Sequence, residues 1–165
     1  MGIFLSLIHI YPYFGVVSSN CDRFPTCQAL RHPENNLEIK KWLMKANVIQ
    51  HTGMMVRKSV LEKSGVRYEF EFFPAEDYMI CVRLIQHTMF YNIQEVLVKH
   101  RFDENSETNT TTKQWQRMVN ADAMIKCIAY QSYPALIEQA EIPIHKKTVF
   151  RLFGFIPLFS IKRKF

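Results

Sequence analysis

Pro74-Ala75-Glu76-Asp77 stands immediately ahead of the apolar run Tyr78-Met79-Ile80-Cys81-Val82, and no other stretch constrains the fold as tightly. The first turn of a helix leaves backbone N–H groups without partners and favours negative charge, and proline is tolerated only at or before that turn. The spacing therefore predicts a helix over 76–86 that opens with two adjacent carboxylates. By position alone the pair is a structural complement to the helix start. The same placement also suits chemistry. Neighbours on a helix point about 100° apart, so only one carboxylate can address a given group. The other raises the pKa of the first toward a range useful to a base.

A chain of 165 residues, 48% apolar and 22% charged, suits one globular domain or a piece of one and excludes disorder for most of its length. Only five glycines are present, and no Gly-x-Gly-x-x-Gly, Gly-Lys-Ser/Thr or Asp-x-Asp sequence offers a phosphate cradle. Cys21, Cys27, Cys81 and Cys127 form no Cys-x-x-Cys pair and no zinc-finger spacing. They read as reduced thiols in a cytoplasmic setting, with a Cys21–Cys27 disulfide as the alternative in an oxidising one. No secretory signal is recognisable. The apolar first seventeen residues contain His9 and Pro12 and stop short of the roughly 20 needed to span a bilayer. They read as core: a helix over 3–10 and a strand over 14–18, with an apolar face and a strand edge left to be covered.

Residues 1–144 hold fifteen charges of each sign, so the net charge of +6 resides in residues 145–165, with six Lys and Arg and no acid. The apolar centre of this tail, Val149 through Phe159, is flanked by Lys146-Lys147 and Lys162-Arg163-Lys164. Two readings stay open. One is a segment lying in a membrane interface with its cations near anionic headgroups, at about 1 kcal/mol each. The other is a tail packed on its own domain with solvated basic ends. No nucleic-acid partner is expected, because no recognition motif accompanies the charge.

Between these ends, Asn35 or Asn36 caps a helix over 37–46 with Leu37, Trp42, Leu43 and Ala46 on one face. An extended piece over 52–56 precedes a helix over 58–64 stopped by Gly65, a residue at ease in the left-handed conformation. Met54 and Met55 read as core side chains at strand spacing. Two β-rich segments, 88–93 and 96–102, follow the 76–86 helix. A polar stretch over 103–112, with the sequon Asn109-Thr110-Thr111, leads to a long helix through Trp115, Met118, Val119, Ala123 and Ile128.

Three blocks carry a family likeness: His51-Thr52-Gly53-Met54-Met55-Val56-Arg57-Lys58-Ser59, Ala75-Glu76-Asp77-Tyr78, and Glu95-Val96-Leu97-Val98-Lys99-His100-Arg101. In this order and spacing they resemble family 2 inverting glycosyltransferases of the GT-A fold, over about residues 47–109. More loosely, Pro12-Tyr13-Phe14-Gly15-Val16-Val17-Ser18-Ser19 is similar to a strand of the same family. The resemblance implies an α/β fold: a partial GT-A domain with a mixed sheet and flanking helices over 1–109, a helical extension over 110–144, and the basic-apolar tail over 145–165.

The resemblance further implies transfer of a sugar, with inversion, from a nucleotide-sugar donor to a glycan or lipid-linked acceptor hydroxyl in surface polysaccharide or lipopolysaccharide synthesis. Bacterial relatives work at the inner face of the cytoplasmic membrane. Asp77 maps onto the family's base, with Glu76 orienting it or contacting the acceptor. His51 and Thr52 fall on the acceptor side of the cleft, where His51 is either a substrate contact or a structural residue. His100 and Arg101 fall where relatives carry Tyr-Arg, and Arg101 either faces donor phosphates or pairs with Glu95 or Asp103. Relatives often place a histidine where Asp103 stands, which removes one metal or diphosphate contact. A divalent metal, Mn or Mg, belongs to the complete family domain, but its Asp-x-Asp ligands are missing here and no metal ligand is assigned. The isolated chain is therefore expected to be inactive. The alternatives are a non-catalytic remnant and a membrane-surface binding module.

Overall fold

The computed structural model describes residues 12–24, 28–101, 112–141, 148–152 and 156–161. It is an α/β structure built around one long strand, β1 (Phe14–Phe24). β4 (Met89–Arg101) runs parallel to β1 along its whole length, from Phe14↔Met89 to Phe24↔Arg101. The short antiparallel strands β2 (Gln28–Leu30) and β3 (Met55–Val56) pair with residues 21–23 and 16–17 of β1. A strand has only two edges, so β2 and β3 share the one that β4 leaves open. The sheet is therefore mixed.

The β-rich stretches expected at 88–93 and 96–102 are one strand. Its register slips between Ser19↔Ile93 and Asn20↔Val96, so Gln94 and Glu95 bulge out of the ladder. Asn20 secures the bulge, donating from Nδ2 to the Gln94 carbonyl at 2.7 Å while its Oδ1 accepts the His32 N–H at 2.9 Å. Asn92 is equally buried and donates to the carbonyls of Pro33 (2.8 Å) and Val48 (3.1 Å). These amides tie the loops on either side of the first helix to the sheet.

That helix, α1 (Asn36–Leu43), is capped by Asn35, whose side chain accepts the Glu38 N–H. Asn36 is spent differently: its Oδ1 accepts the Phe90 N–H at 3.0 Å and docks the helix on β4. The buried face is Ile39, Leu43 and Met44, whereas Leu37 and Trp42 stay 47% and 46% exposed. The expected face was thus rotated, because the helix stops at Leu43 and leans on the sheet through Ile39. α2 (Lys58–Ser64) ends at Gly65 with φ 70°, as the left-handed stop requires.

α3 (Glu76–Leu84) is the centre of the core. Met79, Ile80, Val82 and Leu84 are buried, a contribution of about 1.5–3 kcal/mol each. Tyr78 donates its hydroxyl to the Leu43 carbonyl at 2.6 Å, and Arg83 holds Glu69 through two bonds of 2.9 and 3.2 Å. Because α3 leads through a short turn into β4, it runs back over the sheet against the strand direction. α4 (Thr112–Ser132) packs Ala121, Ile125 and Ala129 into this core, while Trp115 and Val119 are exposed. Trp115 and Val119, two of the apolar positions along which the sequence predicts the helix, thus lie on its solvent side. α5 (Pro134–Gln139) follows, with Ile137 buried. Beyond it, β5 (Thr148–Leu152) and β6 (Ile156–Ile161) pair antiparallel as a hairpin, an element not anticipated for the tail.

The helix expected over 3–10, the sequon and Asp103 lie outside the described residues. Cys21, Cys81 and Cys127 are buried free thiols, and Cys27 lies outside the described residues. No helix among the described residues is long and apolar enough to cross a membrane.

Candidate functional site

The carboxylate pair opens α3 as the proline spacing predicts. The N-cap is Ala75, which has no side chain to offer, so Glu76 and Asp77 in the first turn supply the negative charge. Asp77 is half-buried. Its Oδ1 accepts the Tyr78 N–H at 2.7 Å and its Oδ2 accepts Nδ2 of Asn47 at 3.2 Å. Burial pushes its carboxyl above the usual range. The charge of His51 and the Tyr78 N–H work against that rise, and Glu76 adds to it. Loss of solvent is therefore the main cause, and the neighbouring carboxylate a lesser one.

Glu76 is the more unusual partner. Its Oε2 is buried and has no hydrogen-bond partner among the described residues. A buried carboxylate oxygen left without a donor is costly, and a ligand hydroxyl would relieve that cost.

The 3₁₀ turn His51–Gly53 covers the same end of the sheet. It can lie close because Gly53 has no Cβ: one added there would come within 2.6 Å of Val98 Cγ2 on β4. His51 is exposed and acts on Asp77 through its charge. Its ring meets Tyr68 edge-on, with centroids 5.9 Å apart. The Tyr68 phenol is held above its ordinary pKa by burial first, then by Cys81, Asp77 and Glu76. Asp77, Glu76, His51 and Tyr68 thus share one electrostatic environment.

Thr52 is engaged locally, accepting from Gln50 Nε2 at 2.8 Å. His100 and Arg101 stand exposed at the end of β4, paired in register with Arg23 and Phe24. Among the described residues no hydrogen bond or ion pair joins either to Asp77, Glu76 or Glu95. Met54 packs partly buried against the main core and Met55 against the smaller cluster of Val17 and Ile93.

Two residues at the site were not foreseen. Asn47 was hidden because its role depends on a partner thirty positions away, although its Oδ1 also accepts the Ile49 N–H in a local Asx turn. Tyr68 lies in an irregular stretch where no periodicity marks a functional side chain.

Among the described residues, no group of three or more His, Cys, Asp or Glu side chains is arranged to hold a metal ion. A cleft of about 550 Å³ does exist, but it lies at the other end of α3, lined by residues from Pro12 to Met89, and includes none of the six residues singled out from the sequence. Comparisons with protein-family models, curated proteins and solved structures found no match to this chain.

Proposed function

We propose that this chain carries the acceptor side of an inverting, GT-A-type sugar transferase, with Asp77 as the base that takes the proton of an acceptor hydroxyl. The observation that carries the reading is the state of the carboxylate pair: Asp77 half-buried with a raised pKa, beside a Glu76 oxygen that is buried and unpartnered. A raised pKa makes Asp77 a stronger base. Glu76 Oε2 is suited to accept a second hydroxyl of the sugar, and the half-exposed Tyr68 and His51 offer a rim against which a sugar can rest. The donor would be a nucleotide sugar, and the acceptor a glycan or a lipid-linked glycan of a surface polysaccharide at the inner face of the cytoplasmic membrane.

The test is transfer from a panel of radiolabelled nucleotide sugars to a membrane fraction by a complete transferase domain that carries this segment together with an Asp-x-Asp half, compared with the same domain bearing Asp77→Asn. The substitution should lower transfer by about 10²–10⁴-fold, the usual worth of a general base. Unchanged transfer would exclude Asp77 as the base.

One observation favours a second reading. Both Asp77 oxygens already accept bonds from the protein, as an architectural clamp between α3 and the segment after α1 would. In that case the chain binds acceptor without transferring sugar. Glycan binding without transfer in any donor condition, together with a large loss of stability in Asp77→Asn, would decide for it.

A further inference from the structure

At the far end of α3 from the carboxylates, four separate segments line an open cleft of about 550 Å³. Lys40 comes from α1, Arg57 and Lys63 from the start and the body of the α2 region, and Gln86, His87 and Thr88 from the turn between α3 and β4. Pro12, Tyr13, Val60 and Met89 supply apolar wall, and Ser59 lines the same space. Three permanent or near-permanent cations and an imidazole thus line one concavity, and no Asp or Glu does.

The walls are pinned. The Arg57 backbone N–H donates to the Gly15 carbonyl at 2.8 Å, and its guanidinium donates to the Phe14 carbonyl at 3.5 Å. Gly15 itself lets β1 approach the turn: an added Cβ would collide with Thr88 Oγ1 and Val60 Cγ2. Lys40 lies 5.9 Å over the Phe90 ring. Among the described residues neither Lys40 nor Lys63 forms an ion pair, although Lys41 and Lys58, their near neighbours in sequence, pair with Glu38 and Glu62. A cleft of one sign with partly apolar walls concentrates the opposite charge, and a guanidinium fork beside ammonium groups and hydroxyls matches phosphate oxygens.

We propose that this cleft is a binding site for a phosphorylated ligand whose phosphate is held by Lys40, Arg57 and Lys63, with the Ser59 hydroxyl as a further donor. Burial lowers the Lys40 pKa, a cost that a bound anion would offset. The ligand is either a soluble phosphate ester or a lipid phosphate headgroup, and it does not depend on the transferase reading, since the two sites share no side chain.

The test titrates the intact chain calorimetrically with inorganic pyrophosphate and, separately, co-sediments it with phosphatidylcholine vesicles with and without phosphatidic acid. Lys63→Glu, on an exposed helix face where folding is safe, is compared with Lys58→Glu on the same helix, which changes the charge identically but does not line the cleft. Lys63→Glu and Lys40→Met should each weaken binding at least about tenfold, the lower end for a lost charge-assisted bond, with Lys58→Glu near wild type. Pyrophosphate binding with that pattern indicates a soluble ligand, and the same pattern on phosphatidic acid vesicles alone a lipid one. No binding to either probe, or equal losses in Lys58→Glu and Lys63→Glu, overturns the proposal.

Discussion

The two ends of α3 differ in charge and in how they are built. Its first turn carries Glu76 and Asp77, consecutive in sequence and held by the Tyr78 N–H and Asn47. Its far end opens on a cleft whose three cations, Lys40, Arg57 and Lys63, and imidazole, His87, are spread over nearly fifty positions. Acid at the start and base at the end both complement the helix dipole, but only the first follows from adjacent residues. The lesson is that a short motif can mark a site that the sheet then completes. A concavity assembled from separate segments leaves no motif at all.

The sharpest way to break this contrast is Asp77→Asn. If the carboxylate end is chemical, transfer falls by about 10²–10⁴-fold while thermal stability falls far less, since asparagine's single amide oxygen keeps one of the two bonds that Asp77 accepts. Comparable losses of transfer and stability would instead make that end as architectural as any helix start.

Next in size is Phe90→Ala, a fully buried ring on β4 beneath Lys40. It should cost about 3–5 kcal/mol in chemical denaturation and weaken pyrophosphate binding more than transfer measured below the melting temperature. Equal effects at both ends would show that the core couples them.

Gly53→Ala probes the carboxylate end from above. The added methyl meets Val98, so about 1–3 kcal/mol of stability should be lost through overpacking. Transfer should also fall, because the turn bearing His51 must shift, with no change at the cleft. Retained transfer would mean that the turn does not position the site.

The smallest effects concern pH. The folded Asp77 carboxyl has a raised pKa, so the folded state holds its proton to higher pH than the unfolded chain does. Its contribution is most favourable below the ordinary aspartate value of about 3.9 and is lost as pH rises through the folded value. The stability of the wild type relative to Asp77→Asn should therefore decline with rising pH across that window in paired denaturation curves. His51→Gln removes a charge that lowers the Asp77 pKa and should move the acid limb of the transfer rate to higher pH. An unmoved limb would detach His51 from the site.

Part of the candidate site was legible. Glu76 and Asp77 could be placed because helix starts select charge, and His51 because it opens a recognisable block; the structure brings all three together. His100 and Arg101 belong to the same block pattern, yet their neighbours are set by pairing with Arg23 and Phe24, a register that no local preference encodes. Asn47 and Tyr68 were invisible for the same reason.

What the sequence by itself determined are the features whose cause lies within a few residues: an asparagine cap at Asn35 or Asn36, the Gly65 stop and the charged opening of α3. Backbone preference and local hydrogen bonding suffice for these. Only the tertiary structure decided that Ile39 rather than Leu37 turns inward, that Gln94 and Glu95 bulge out of one continuous strand, and that four basic side chains face a common cleft. Each of those outcomes depends on contacts between residues far apart in the chain, whose free energy appears only when the sheet and its helices have come together.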